Sequence, residues 1–229
     1  MRILALITAR AGSKRVPGKN LRALAGTPLV SWSIAAAQGI QGICDIIVST
    51  DDERIATVAR AAGASVPWLR PTELSSDTAT SVDVTLHALD RYEADAGKVD
   101  GLLLLQPTSP FRSSETMARG LAIFQADNRR PVVGVSPAQS HPLWCFRLAA
   151  GSLTPFCGEG GMHLRSQELP PAVIVNGAFY LISPRDLRER KSFYSDDMVP
   201  LLIEDPREAI DIDTEWDWKI AELLANMGK

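Results

Sequence analysis

Met1-Arg2-Ile3-Leu4-Ala5-Leu6-Ile7-Thr8 runs without a break into Ala9-Arg10-Ala11-Gly12-Ser13-Lys14-Arg15-Val16-Pro17-Gly18-Lys19-Asn20. The first eight residues are short and apolar, and Arg10 arrives too soon for a signal peptide, so they read as a buried strand. The next twelve then form a loop where open α/β sheets bind ligands, outside the carboxyl end of a strand. Gly12 and Gly18 permit close backbone approach, while Arg10, Lys14, Arg15 and Lys19 place four cations within ten residues. A nucleoside triphosphate carries about four negative charges and needs donors around its phosphoryl oxygens. The loop matches neither Walker A nor GxGxxG. Its alternative reading is a solvated basic loop, which the position directly after the first strand disfavours.

Working outward, residues 45–49, 101–105 and 131–136 are further short apolar runs. Gly101-Leu102-Leu103-Leu104-Leu105 lacks in-out alternation, as expected of a strand covered on both faces. Helix-period apolar sets lie between them: Leu29, Trp32 and Ala36; Val82, Leu86 and Leu89; Met117, Leu121 and Phe124. The alternation predicts an α/β fold with a doubly wound, mostly parallel sheet. Thr27 before Pro28 predicts an N-cap with proline at the first helical position. From about His141 to Val175 glycines and prolines break the pattern, which predicts an inserted subdomain in a single domain spanning 1–229. Patterning resumes at Ala178–Ile182 and Ile210–Ile212 and ends in a helix carrying Trp216, Ile220, Leu223, Leu224 and Met227.

Of 229 residues, 45% are hydrophobic and 22% charged, which excludes disorder and disulfide-built scaffolds. The net charge of -3 hides an asymmetry: six basic and no acidic side chains lie in residues 1–22, leaving 18 basic against 27 acidic in the remainder. Basic charge confined to one short segment excludes bulk nucleic-acid binding and favours a compact anion. Cys44, Cys145 and Cys157 have no CxxC spacing, which points to a reducing, cytoplasmic location. No apolar run reaches the roughly 18 residues of a membrane span.

Two further segments carry candidate chemistry. In an extended Ile210-Asp211-Ile212-Asp213, Asp211 and Asp213 project to one face while the isoleucines pack on the other. Two hard oxygen ligands on one face suit Mg²⁺; the alternative is that Asp213 N-caps the last helix. Leu105-Gln106-Pro107-Thr108-Ser109-Pro110-Phe111-Arg112 follows the most buried strand, and its prolines stiffen a turn presenting Gln106, Thr108, Ser109 and Arg112 to a base or sugar. It reads equally as a connection. In Ser49-Thr50-Asp51-Asp52 an aspartate caps the next helix. His87 reads as structural or exposed, His141 beside Pro142 and Trp144 as helping to shape the inserted subdomain, and no GxSxG signature supports covalent catalysis.

Taken in order, these segments, with Arg70-Pro71, Asp77, Ser81 and Asn176-Gly177-Ala178-Phe179-Tyr180, resemble the acylneuraminate cytidylyltransferase family of CMP-nonulosonic acid synthetases. The resemblance implies a Rossmann-like fold whose insertion dimerises, Mg²⁺ as cofactor, and transfer of CMP from CTP to a nonulosonic acid with release of pyrophosphate. It implies that Arg10 and Lys19 bind triphosphate, Asn20 and Ser81 contact the nucleotide, Gln106 and Asn176 address the sugar, and Asp211 and Asp213 hold the metal. Gly12, Ser13, Lys14 and Arg70 complete the expected nucleotide set; Thr108, Ser109, Arg112, Arg165, Gln167 and Tyr180 complete the sugar set. Arg10, Lys19 and Asp211 are the expected catalytic residues. The chain departs from the family's RQxLP pattern at Leu164-Arg165-Ser166-Gln167-Glu168-Leu169-Pro170, where the arginine is displaced by one position. In an extended segment that displacement turns the side chain to the opposite face. Transfer to Kdo (3-deoxy-manno-octulosonate) or another sugar, and an inactive nucleotide-binding paralogue, are the alternatives.

Overall fold

The computed structural model describes residues 1–161 and 163–227. Strand β1 (Ile3–Thr8) leads to a small ribbon, β2 (Ala23–Leu24) and β3 (Thr27–Pro28), then α1 (Leu29–Ala37), β4 (Ile43–Ser49), α2 (Glu53–Ala61), α3 (Ser81–Ala96), β5 (Gly101–Leu105), α4 (Ser114–Ala126) and β6 (Val132–Pro137). A hairpin of β7 (Phe146–Ala149) and β8 (Ser152–Pro155) precedes β9 (Val173–Ile182), α5 (Pro184–Arg190), β10 (Val199–Leu202) and α6 (Glu215–Met227). Six strands form one sheet in the order β10-β6-β9-β5-β1-β4. All pairings are parallel except those of β9, which runs antiparallel to β5 and β6. The doubly wound, mostly parallel sheet read from the sequence is therefore the fold.

The pleat of β1 divides the core. Ile3, Ala5 and Ile7 pack with Val30 and Ile34 of α1, Ile55 of α2 and Phe124 of α4, whereas Leu4 and Leu6 pack with Ala88 and Leu89 of α3 and Leu187 of α5. Each fully buried Leu or Ile contributes about 1.5–3 kcal/mol, which explains why β1 reads as continuously apolar. Gly120 lets α4 lie close on β9: a Cβ there would sit 2.2 Å from the Phe179 ring. Because β1 lies between β4 and β5, a crevice opens at their carboxyl ends, the switch point of an open sheet. Among the described residues no helix is long and apolar enough to cross a membrane.

A third, smaller cluster positions the site. Val16 from the basic loop, Leu24, Leu29, Ile212 and Trp218, Ala221 and Ala225 of α6 are buried together. The Arg22 guanidinium stacks 4.2 Å from the Trp218 ring and pairs with Glu215 at 2.8 Å. Beginning and end of the sequence are thus stitched together by apolar packing.

Several local expectations are corrected. Thr27 does not cap α1, because Thr27–Pro28 pairs with Ala23–Leu24 and the helix starts at Leu29. Asp213 does not cap α6: the Thr214 hydroxyl accepts from the Asp217 N–H at 3.3 Å, and the Asp217 carboxylate accepts from the Thr214 N–H at 2.7 Å. On α6 the buried face is Trp218, Ala221 and Ala225, while Trp216, Leu223 and Met227 stand exposed. Asp52 does cap α2, accepting from the Arg54 N–H at 2.8 Å. The irregular stretch ends earlier than residue 175, since Val173 already pairs with Pro137. Within it Leu143 N–H donates to His141 Nδ1, leaving Nε2 to donate to the Pro170 carbonyl at 3.0 Å. Ser166–Glu168 forms a single 3₁₀ turn, so the alternation argument for the displaced Arg165 does not apply.

Candidate active site

The basic loop leaves β1 and is tied down at once. Ala9 N–H donates to the Ser49 carbonyl at 3.0 Å and Ala11 N–H to the Asp51 carboxylate at 2.9 Å. Asn20, buried, donates through Nδ2 to the Arg10 carbonyl at 2.8 Å and closes the loop's far end. The closed loop forms one wall of a cavity of about 530 Å³, lined by Arg10, Ser13, Lys14, Arg15, Lys19 and Asn20. The facing wall is Gln106, Thr108, Asp211 and Asp213.

Residues 210–213 belong to neither a helix nor a strand. Ile212 N–H donates to the Thr108 carbonyl at 2.8 Å and its side chain is fully buried, so Asp211 and Asp213 on either side face the cavity. The cationic loop and the carboxylate pair therefore meet: Arg15 Nη2 lies 2.9 Å from Asp213, and Lys19 Nζ donates to the Ile212 carbonyl at 2.6 Å and lies 3.7 Å from Asp213. Burial pulls the Lys19 ammonium below the ordinary lysine value, with Asp213 and Asp211 opposing. Asp211, open to the cavity but flanked by protein elsewhere, is raised by desolvation and by Asp213, while the Thr108 side chain pulls the other way.

Two smaller cavities adjoin. One of about 260 Å³ shares Thr8 and Arg10 with the first and adds Arg70, Asp77, Thr80 and Ser81. Arg70 is 6% exposed; burial holds its guanidinium below the usual range, and Asp51 at 4.0 Å opposes that. Ser81 opens α3, whose N-terminus is fixed by a Thr80–Asp83 capping box. The other, about 200 Å³, shares Gln106 and Ser81 and is walled by Tyr180, Lys191, Phe193 and Tyr194. Desolvation and the Tyr194 hydroxyl raise the Tyr180 phenol well above its ordinary value. Gly177, at φ +76°, bends β9 beneath Gln106, where a Cβ would lie 3.1 Å from Gln106 Oε1 and 3.9 Å from Asp211 Oδ2.

Several expected ligand-facing groups are turned inward instead. Arg112 is buried, its guanidinium donating to the carbonyls of Gln106, Ser109 and Ala178 and, at 3.0 Å, to Ser33 Oγ. It braces the turn and does not reach the cavity. Ser109 is fully buried beneath the same turn. Asn176 donates to Ser136 Oγ at 2.8 Å and accepts from Ala178 N–H at 3.1 Å, stabilising the β9 bend. Gly12 is exposed on the loop, and Arg165 and Gln167 stand exposed in the segment before β9; none of the three lines these cavities. Thr8, Thr80, Lys191, Phe193 and Tyr194 line them without having been singled out. The only signal for the last three is the pair of adjacent aromatics in Lys191-Ser192-Phe193-Tyr194, which has no periodicity to place it.

A cationic loop opposed by two aspartates at the switch point of a doubly wound sheet defines an α/β protein whose cavity has the charge to accept a compact anion. Known proteins narrow this. The cytidylyltransferase family profile matches residues 4–130. The chain is 41% identical to CMP-N,N'-diacetyllegionaminic acid synthase of Legionella pneumophila, over 100% of this chain and 98% of that protein. It is 29% identical to pseudaminic acid cytidylyltransferase of Campylobacter jejuni, over 98% and 96%. Its fold superposes with a TM-score of 0.74 on CMP:2-keto-3-deoxy-manno-octonic acid synthetase complexed with CTP, covering all of both chains at 15% identity. The chain belongs to the cytidylyltransferase family and is a nucleotidyltransferase.

Proposed function

We propose that the protein joins CTP to a nonulosonic acid, giving a CMP-sugar and pyrophosphate, and that N,N'-diacetyllegionaminic acid is its preferred acceptor. The observation that carries the reading is the meeting of Arg10, Lys14, Arg15 and Lys19 with Asp211 and Asp213 around one cavity. The relative at 41% identity over the whole chain supports the acceptor. So does the wall of Tyr180, Phe193 and Tyr194, which suits the methyl groups of two N-acetyl substituents.

The sugar's anomeric 2-hydroxyl oxygen attacks the α-phosphorus, the bond from that phosphorus to the bridging oxygen breaks, pyrophosphate leaves, and the hydroxyl proton passes to solvent through the open cavity. Such transfer needs little covalent work from the protein; positioning and charge neutralisation dominate. Arg70 and Ser81 face the base, the loop cations neutralise the departing pyrophosphate, and Gln106 with Thr108 orients the sugar. The two aspartates fit Mg²⁺: they are hard donors on one wall whose mutual repulsion a divalent cation relieves. When bound by Asp211 and Asp213, Mg²⁺ supplies charge neutralisation to the phosphates.

The test is incubation with CTP, Mg²⁺ and separate acceptors, with products identified by mass. CMP-N,N'-diacetyllegionaminate should form fastest. Preference for Kdo overturns the acceptor assignment, and CTP binding without pyrophosphate release from any acceptor identifies an inactive nucleotide binder. In the same assay Asp211→Asn should raise the Mg²⁺ concentration for half-maximal rate by about tenfold or more; an unchanged titration removes Asp211 from the ligand set.

The protein is further read as a cytoplasmic homodimer. Its three cysteines are free. Phe146 and Leu148 of β7, Leu153 of β8 and neighbouring Phe156 expose 42–73% of their surface, an apolar patch for a second copy to cover. Such a partner also offers a route for Arg165 and Gln167, which line none of the three cavities within one chain, to approach a site. Light scattering should give twice the monomer mass for the protein and the monomer mass for Leu148→Glu/Leu153→Glu; a monomeric parent rejects the dimer.

A further inference from the structure

All four loop cations already have anionic partners. Asp213 takes Arg15 and Lys19, and Asp77 takes the other two: Arg10 Nη1 lies 2.9 Å from Asp77 Oδ1, and Lys14 Nζ pairs with Asp77 Oδ2. Arg10 also donates to the Ser76 carbonyl at 3.1 Å. These partners differ in how firmly they are seated. Asp213 follows the fully buried Ile212, whereas Asp77 sits in an exposed turn between Leu74 and α3. Apart from its contacts with Arg10 and Lys14, the turn is held by local bonds, Ser76 Oγ to Thr78 Oγ1 at 3.0 Å, Ser76 Oγ to the Glu73 carbonyl at 3.2 Å and Ala79 N–H to the Ser76 carbonyl at 3.4 Å.

We infer that Asp77 is an internal stand-in for substrate phosphate, which CTP must displace from Arg10 and Lys14, and that it thereby sets triphosphate affinity. The inference rests on the phosphate role proposed for this loop. A carboxylate held between two cations has the charge and the acceptor geometry of a phosphoryl oxygen pair. Lys14 first, and then Arg10, hold the Asp77 carboxyl below its ordinary range, so it is ionised and competes throughout the neutral region. Both pairs are substantially exposed, and each such pair is worth between nothing and about fivefold in an equilibrium constant. The competition is therefore soft enough for a triphosphate to win. A monophosphate, with fewer charges and no second cation to recruit, gains less from the exchange. Asp77 in this role sharpens discrimination for the triphosphate and eases departure of pyrophosphate.

Calorimetry with inorganic tripolyphosphate on the full chain tests this without CTP or sugar. Asp77→Asn should bind tripolyphosphate about 3- to 10-fold more tightly than the parent at low ionic strength, with a matching fall in KM for CTP. Asp77→Glu should return affinity to the parent value. Equal or weaker binding by Asp77→Asn overturns the proposal, because Asp77 would then organise the cations and not compete for them. Failure of the parent itself to bind tripolyphosphate overturns the phosphate role of the loop instead.

Discussion

Replacing Lys19 by alanine should lower turnover by about two orders of magnitude or more, while CTP still binds through the remaining cations. Lys19 is the most enclosed of the four, its side chain 12% exposed against 36% for Arg10 and 67% for Arg15. An enclosed ammonium is less screened by water and costs no reorganisation as charge develops on pyrophosphate, the condition under which one donor is worth about 10²–10³ in rate. Its bond to the Ile212 carbonyl also holds the loop against the aspartate segment. The check is continuous pyrophosphate release with saturating CTP; a rate within a few-fold of the parent removes Lys19 from charge stabilisation. Lys19→Arg separates charge from shape, since a guanidinium keeps the charge and needs a different seat.

The second large effect is on stability. Arg112→Met should cost about 3–5 kcal/mol, the loss expected when three buried carbonyls give up a charged donor at roughly 1–3 kcal/mol each, offset in part by the relief of a desolvated cation. For a domain of this size that is a fall of roughly 6–20 °C in unfolding temperature. Burial brings the guanidinium down to about 9, with Asp211, Glu208 and Tyr180 opposing, so it is charged at neutrality. Removing it leaves carbonyls of Gln106, Ser109 and Ala178 without their donor inside the protein. Thermal unfolding followed by circular dichroism measures the effect. An unchanged midpoint with lost activity would return Arg112 to the substrate.

That reversal for Arg112 shows where sequence reading stops. A turn stiffened by two prolines declares that its polar side chains are fixed, but not whether they point at a ligand or at the chain's own carbonyls. Gln106 and Thr108 face the cavity; Ser109 and Arg112, a few residues on, do not. Asn176 fails for the same reason, since its amide serves the bend at Gly177. By contrast, β1, its basic loop and the facing of Asp211 and Asp213 were legible because each rests on a periodicity or a charge cluster. The aromatic wall at Phe193 and Tyr194 had neither. The antiparallel run of β9 was also hidden, because a strand buried on both faces reads alike in either direction.

The third cluster, where Val16 and Ile212 share one apolar pocket with Trp218, has a bearing on how the protein is made. Loop and aspartates are almost two hundred positions apart along the polypeptide. A ribosome that has translated only the leading strands has delivered the cations without their counterpart. The apolar seat that Val16 and Ile212 share with Trp218 is complete only once α6 has been made and docked, so the two walls of the cavity come together with that helix.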